Sequence, residues 1–486
     1  MYTYDCCVVG SGMAGLTAAA LLAKDGLKVG VLEQNWIPGG CTTSYWRKGF
    51  VFESGATTLV GLDAHMPLRF LVEQTGIHIP AKELALPMQI RLADGTLINK
   101  YKDLEQWIGE AERVFGSYQQ RPFWEFCYRI SQFVWETSMK QTAFPPSRLS
   151  DLLFAAKNVT AKQLRYAGYS LVSMRQLLKR FGLLENKVFV DYVNEQLLIT
   201  AQNHIEEVNV LFGATALCYT NYSNYYVDGG LINLVQPIAQ YIESKGGEVR
   251  LRTEVSGITD EGGHYRIQTA KQGDLTAKYV ISSIPVNNTL QIFSGKARPV
   301  FAQKQMTSQQ LNSAFQMGIG FRKTRDYDTI HHQLHLSEPL TGVGSASIFV
   351  SLSHPEDATR ADSPGHMVAS VSTHVHDPAH RMIEDKEVVE AAILDKLEEA
   401  GILEKNAVVY RHSSTPKAWY KWTRREWGFV GGYPQYMAIK PWQMLDARLD
   451  GKRAYICGDT TYPGQGIPGA ALSGVIAWQK LKMDHF

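Results

Sequence analysis

The 486-residue sequence predicts an α/β fold in which a Rossmann-type dinucleotide-binding domain is interleaved with a second domain of long helices and mixed sheet. Three observations predict it. The chain opens on a strand, a glycine loop, a helix and a second strand. It closes on a strand, a Gly-Asp pair, a glycine-rich turn and a helix. Between these ends the apolar period shifts from sheet to helix and back.

The opening stretch is Tyr4-Asp5-Cys6-Cys7-Val8-Val9-Gly10-Ser11-Gly12-Met13-Ala14-Gly15. Residues 4–9 read as a buried strand, a small-residue helix follows from about Met13 to Lys24, and a second strand from Lys28 ends in Leu32-Glu33. Gly10 permits the tight turn, Gly12 lets the backbone approach a pyrophosphate, and Gly15 lets the helix lie close to the sheet, so that the phosphates sit at a helix N-terminus. Glu33 is placed to accept hydrogen bonds from both hydroxyls of an adenosine ribose. A lone G-x-G-x-x-G says little, but strand, glycines, helix, strand and terminal acid in register predict an adenine dinucleotide.

Length leaves room for about three domains of ordinary size. With 49 Lys and Arg against 47 Asp and Glu, the net charge of +2 does not point to nucleic acid. Six scattered cysteines without a C-x-x-C pair suit a reducing cytosol. No cleavable signal is visible before the first strand, and no apolar run reaches the roughly 20 residues of a spanning helix.

After Glu33 come Pro38-Gly39-Gly40-Cys41-Thr42-Thr43 and Gly49-Phe50-Val51-Phe52-Glu53-Ser54-Gly55-Ala56. The double glycine brings a second backbone loop against the cofactor, a feature that nicotinamide dehydrogenases do not need and flavoproteins often have. Here the chain resembles the FAD-dependent carotenoid (phytoene) desaturases, carotenoid isomerases and retinol saturases, within the amine-oxidase-like flavoproteins. It departs from the bacterial desaturases at Cys41, where they carry arginine, and at Glu53, where aspartate is usual.

From about Leu62 to Asn221 the period becomes helical, with helices expected over 61–76, 104–115, 123–139, 150–181 with interruptions, and 187–201, and a hairpin beside Asp94-Gly95. Residues 147–187 carry eight Lys and Arg against Asp151 and Glu185, a local balance of +6, interleaved with leucines and aromatics. Basic amphipathic helices of this kind can lie on an anionic membrane; the alternative is a solvated face over an ordinary core.

At Val227-Asp228-Gly229-Gly230 the chain returns to the cofactor domain. A helix to about Lys245, a strand at 248–251, a hairpin around Gly262 and a buried strand at 279–285 follow. Residues 286–417 read as the rest of the second domain, with strands at 314–321, 345–352 and 367–376 and a helix at 386–399. The histidines at 331, 332 and 335, and at 374, 376 and 380, match no familiar metal spacing, so no metal is expected. Gly342-Val343-Gly344 lacks a third glycine, so no nicotinamide domain is expected.

The aromatic segment 415–432 suits an apolar ligand. The closing stretch, Ala454-Tyr455-Ile456-Cys457-Gly458-Asp459 through Pro463-Gly464-Gln465-Gly466-Ile467-Pro468-Gly469, puts a carboxylate and a helix N-terminus toward the redox half of the cofactor. It resembles both the P-G-x-G-I-P-G of bacterial desaturases and the P-G-Q-G of plant-type isomerases.

The resemblance implies an FAD-binding domain in three parts (1–61, 227–285 and 453–486) and a substrate domain in two (62–226 and 286–452). It places non-covalent FAD against Gly10, Gly12, Met13, Ala14, Gly15, Glu33, Gly39, Gly40, Cys41, Thr42, Gly55, Ala56, Thr57, Val255, Gly458, Asp459, Gly466, Ile467 and Pro468. Cys457, inside a strand, is not expected to attach the flavin covalently. The implied activity is hydride transfer between flavin N5 and an apolar polyene or isoprenoid. The alternatives are a redox-neutral isomerase, a saturase, or a binding protein that lost catalysis; no catalytic side chain is singled out. The expected setting is the cytoplasm, with the basic helices as a route to the inner face of a membrane, and the oligomeric state is open.

Overall fold

A computed structural model describes residues 3–486 apart from the Leu164 side chain. The chain begins β1 (Tyr4–Val9), α1 (Met13–Lys24), β2 (Val29–Leu32), β3 (Ser44–Arg47), β4 (Phe50–Glu53), α2 (Pro67–Thr75), β5 (Ala81–Glu83), β6 (Met88–Arg91) and β7 (Leu97–Lys100). A helical stretch follows: α3 (Leu104–Phe115), α4 (Gln120–Lys140), α5 (Leu149–Lys157), α6 (Ala161–Tyr166), α7 (Met174–Arg180), α8 (Lys187–Ala201) and α9 (Val210–Leu217). Then come β8 (Tyr225–Val227), α10 (Ile232–Ser244), β9 (Glu248–Arg250), β10 (Val255–Asp260), β11 (Tyr265–Thr269), β12 (Leu275–Ser282), α11 (Val286–Ile292) and α12 (Pro299–Gln303). The last part holds β13 (Asn312–Arg322), β14 (His331–His335), β15 (Ser347–Leu352), β16 (His366–His376), α13 (Lys386–Glu399), β17 (Val408–Ser414), α14 (Pro416–Thr423), β18 (Ala454–Ile456) and α15 (Ile467–His485).

The first sheet draws on both ends of the chain. Parallel strands β9, β2, β1, β12 and β18 lie side by side, and the β10–β11 hairpin joins antiparallel at the other half of β12. The β1 residues Cys6–Val9 are fully or almost fully buried, as a strand covered on both faces requires. Against the sheet lies α1, whose alanines let α15 approach closely. Gly474 makes that approach possible, because a Cβ there would sit 2.3 Å from the Ala14 carbonyl oxygen.

The second sheet runs β17-β13-β16-β15-β14-β6-β7, antiparallel except where β6 meets β14. One face is apolar: Phe315, Met317, Ile319, Ile348, Val350 and Val371 pack on Val389, Ile393 and Leu397 of α13. The other alternates to polar residues, with His374 opposite Ala314 on β13 and Gln316 opposite Ser372. Helices α3, α4, α7, α8 and α9 share an aromatic core built on Trp107, Phe123, Trp124, Phe189 and Tyr192.

A buried ionic network ties α5 to the first sheet's layer. The Arg448 guanidinium reaches Asp151 at 2.6 and 2.9 Å and Asp484 of α15 at 2.7 and 2.9 Å. Lys480 of α15 pairs with Asp446 in the same cluster.

Candidate functional site

A single cavity of about 860 Å³ runs between the two sheets. The N-termini of α1 and α15 both line it, so both ends of the sequence meet at the same space. Its size lies toward the upper end of the ~300–1,000 Å³ usual for small-molecule sites.

The loop between β1 and α1 turns at Gly10 (φ +94°) and passes Gly12 at the α1 N-cap. Gly15 sits where a Cβ would lie 2.5 Å from the Gly10 carbonyl oxygen and 2.8 Å from Ser283, so the helix can meet the loop only without a side chain there. The second glycine loop docks on the first. Gly39 bridges Gly12 in parallel register, its N–H donates to the Ser11 carbonyl at 3.0 Å, and a Cβ on Gly40 would meet the Gly12 Cα at 3.5 Å.

Of the residues the sequence singled out, Gly12, Met13, Ala14, Gly39, Cys41 and Thr42 line the cavity at this end. Gly55, Ala56 and Thr57 follow from the segment after β4, and Gly458, Asp459, Gly466, Ile467 and Pro468 close the other end. Gly10, Gly15 and Gly40 stand behind the wall as loop-shaping residues, and Glu33 and Val255 lie outside the cavity lining. Glu33 is buried, its carboxylate taking the Ser11 N–H at 3.0 Å, the Ser11 hydroxyl at 2.6 Å and the Asn35 N–H at 2.9 Å. Segment 250–253 runs beside it, with Thr253 N–H donating to the Glu33 carbonyl at 2.7 Å, which brings Val255 to the same edge.

The arrangement fits FAD on its own geometry. Two backbone loops lie close enough to bar side chains, two helix N-termini line the cavity, and a carboxylate, Asp459, follows β18 into its wall. The residues that would hold the adenosine and diphosphate are those of the α1 and Gly39-Gly40 loops; those of 458–468 would hold the redox half. Cys457 is fully buried in the α1–α15 core, outside the cavity lining, and burial pushes its thiol up to about 12.

Aromatic and aliphatic side chains make most of the remaining wall, among them Phe133, Trp135, Phe144, Phe212, Phe349 and Trp419. The polar floor from β13, β15 and β16 contributes Gln316, Ser347, Ser372 and His374. Burial lowers the His374 imidazole to about 4, and its Nε2 lies 3.2 Å from the Gln202 amide nitrogen. Among the described residues, Arg425 and Asp459 are the only Lys, Arg, Asp or Glu lining the cavity. They pair with each other through two contacts of 3.2 and 2.8 Å. Sequence reading passed over Arg425, whose setting among Arg424, Glu426 and Trp427 has no distinguishing spacing.

The histidines of 331–335 form β14 and point alternately to its two faces. The His331 Nδ1 meets the Ser351 hydroxyl at 2.7 Å, and that hydroxyl donates to Thr57 at the cavity wall. No group of three or more His, Cys, Asp or Glu that could hold a metal stands together among the described residues. Nor is any of their helices long and apolar enough to cross a membrane.

Comparison with known proteins agrees with this geometry. A prolycopene isomerase from Daucus carota is 24% identical over 99% of this chain and 80% of its own length. An all-trans-retinol 13,14-reductase from Danio rerio is 26% identical over 66% of this chain and 54% of its own. The solved cyclohexylamine oxidase of Brevibacterium oxydans shares the fold, with a TM-score of 0.62 at 16% identity over 98% of this chain and 97% of that one. The family model described as flavin containing amine oxidoreductase matches residues 13–480. The chain therefore belongs to the flavin-containing amine oxidoreductase family, with FAD as its cofactor.

Proposed function

We propose that this chain is an FAD-dependent oxidoreductase that makes or removes a double bond in an apolar polyene or related isoprenoid. The observation that carries this is the charge content of the cavity: among the described residues one cation and one anion line it, and they pair with each other. An ammonium substrate would find no free carboxylate there and would lose its hydration at a cost of several kcal/mol. A hydrocarbon chain gains about 0.8 kcal/mol for every CH₂ it buries. The similarities to a prolycopene isomerase and a retinol reductase support the same substrate class.

When bound, FAD supplies the two-electron exchange. This chain's residues orient and shield. Phe133, Trp135, Phe349 and Trp419 wall the site against water, and neutral His374 presents no charge to the substrate. The first N–H groups of α15, after Gly466, set a partial positive charge at the redox end. Residues 12–15, 39–42 and 55–57 would grip the cofactor from one side and residues 458–468 from the other, with Glu33 and Val255 at the adenosine edge. A three-part FAD domain and a two-part substrate domain are supported by the first sheet, which draws its strands from within 1–61, 227–285 and 453–486.

Full-length similarity to prolycopene isomerase favours a second reading on the same site, a redox-neutral cis–trans isomerisation. The two are separated by incubating holoenzyme with polyenes in liposomes under oxidising and then reducing conditions. A product two mass units lighter marks desaturation, one two units heavier marks saturation, and unchanged mass with altered absorption marks isomerisation. Oxidation of amines with every polyene left untouched would overturn the proposal.

The substrate reaches the cavity from a lipid surface. Leu149, Leu152, Leu153 and Val159 are exposed on and just after α5, and Ala155, Ala156 and Val159 of this stretch also line the cavity. Three cations of the 147–187 stretch are taken up by acids outside it: Arg148 by Asp484, Lys162 by Glu136 and Arg175 by Glu206. Apolar insertion at the cavity mouth therefore contributes alongside charge. Double substitution Leu152→Asp/Leu153→Asp is expected to abolish sedimentation with anionic liposomes; unchanged sedimentation would refute this route.

A further inference from the structure

We propose that Arg425 is the counter-charge for the FAD diphosphate, presented from the segment after α14 and held in register by Asp459. This rests on the assignment of FAD to the cavity and adds a residue that neither glycine loop supplies.

The first observation is uniqueness. Arg425 is the only cation lining the cavity among the described residues, and the side chains that the two glycine-loop segments bring to it, Met13, Ala14, Cys41 and Thr42, carry no positive charge. A diphosphate brings two negative charges into a largely apolar enclosure, where an uncompensated charge is costly. Asp459 alone would add a third negative charge nearby. Paired with Arg425 it adds none, and the pair leaves three of the five guanidinium N–H groups available.

The second observation is how firmly the guanidinium is placed. Arg424 ends α14 in a left-handed conformation (φ 58°), and Trp427 is left-handed as well (φ 55°), so two unfavourable backbone conformations flank Arg425. Such strain persists where surrounding contacts over-determine it. Here Asn288 donates to the Arg424 carbonyl at 2.7 Å, Asn287 donates to the Glu426 carboxylate at 2.8 Å, and the Arg425 N–H donates to the Thr423 hydroxyl at 3.2 Å. Gly428 completes the bend; a Cβ there would overlap the Pro416 carbonyl oxygen at 1.9 Å. The guanidinium itself stands 5.3 Å from the centre of the Phe429 ring.

The third observation is reach. Asp459 belongs to the turn after β18, anchored where its carbonyl accepts from the Tyr433 N–H at 3.1 Å. On the other side, Cys41 of the second glycine loop feels the Arg425 charge, which draws its thiol down against the larger upward push of burial. Gly55 touches both segments, since a Cβ there would lie 3.3 Å from Cys41 and 3.3 Å from Trp419 of α14, and Cys41 and Arg425 line the same cavity.

The test is titration of apo-protein with FAD, followed by quenching of flavin fluorescence at two salt concentrations. The variants are Arg425→Met, Arg425→Lys, Arg425→Met/Asp459→Asn and wild type, each checked for an intact thermal transition without FAD. Arg425→Met is expected to weaken FAD binding by roughly ten- to a hundredfold, the range of one charged hydrogen-bonded contact. It should also flatten the salt dependence. Arg425→Lys should fall between Met and wild type. Adding Asp459→Asn to the Met variant should recover part of the loss by removing the orphaned carboxylate. Equal FAD affinity and equal salt dependence in Arg425→Met and wild type would overturn the inference. A wild-type protein that takes no FAD at all would instead overturn the cofactor assignment.

Discussion

Lys100 stands inside the helical core with no acid beside it among the described residues. Its side chain is fully buried, Nζ donates to the Tyr192 hydroxyl at 3.0 Å, and the ammonium lies 3.5 Å from the centre of the Trp107 ring and 5.2 Å from that of Trp124. Burial pulls the amine from its ordinary 10.5 down to about 7. That depression corresponds to about 5 kcal/mol between the charged and neutral forms. The unfolded chain binds the proton across the window from about pH 7 to 10.5 while the folded chain releases it, so stability rises with pH through that window. It falls again as pH drops toward 7 and levels off below it. Lys100→Met removes the buried charge. It also forfeits the ring contacts, worth about 2 kcal/mol when desolvated, and one hydrogen bond of about 1 kcal/mol. The variant should therefore be more stable than wild type by about 2 kcal/mol at pH 6, with the gap closing or reversing by pH 9. Denaturant unfolding followed by tryptophan fluorescence at pH 6, 7.5 and 9 measures this. A variant less stable at pH 6, or a gap that does not change with pH, would refute the reasoning.

Other perturbations have equally definite outcomes. Gly15→Ala forces a Cβ to within 2.5 Å of the Gly10 carbonyl oxygen, so flavin should be lost on purification; Gly109→Ala on α3, where nothing lies within 4 Å, should retain flavin and gain up to about 1 kcal/mol. Arg448→Met removes the two-pronged partner of buried Asp151 and Asp484, leaving them only Lys480 at 3.8 Å and Arg148 at 2.9 Å, and should cost about 3 kcal/mol in denaturant unfolding. Burial opposes ionisation of these two carboxyls, but Arg448 holds both below the usual aspartate range. The wild type should therefore lose this contribution as pH falls below about 4, and the Arg448→Met variant should show a weaker acid transition.

Much of the cofactor end was legible because glycines leave a direct trace in sequence. Gly10 and Gly15 stand where the turn and the helix packing forbid a side chain, and α1 and α8 span the residues 13–24 and 187–201 that the sequence marks out. The convergence of 466–468 with 12–14 on one cavity follows from the parallel order of β18, β12 and β1, which strand patterning implies but does not measure. Other parts depend on partners distant in sequence. Arg148 reads as one of eight cations on a basic helix, yet its guanidinium pairs with Asp484, over three hundred residues on. The histidines of 331–335 read as a cluster, but a strand sends neighbouring side chains to opposite faces. Glu33 reads as a ribose acceptor; the sequence does not show that Ser11 and Asn35 also donate to its carboxylate, which fixes its orientation and leaves acceptor capacity on Oε1. Arg425 left no trace because a left-handed arginine and a bend at Gly428, rather than any spacing, bring it to the cavity.

The central claim is that the two ends of the chain close on one FAD. Hydrogen–deuterium exchange of apo-protein, with and without one equivalent of FAD, tests it most directly. The account predicts simultaneous protection of peptides spanning residues 10–16, 39–43 and 458–470 as the first equivalent binds. Protection confined to the N-terminal peptides, with 458–470 exchanging as in the apo-protein, would contradict it.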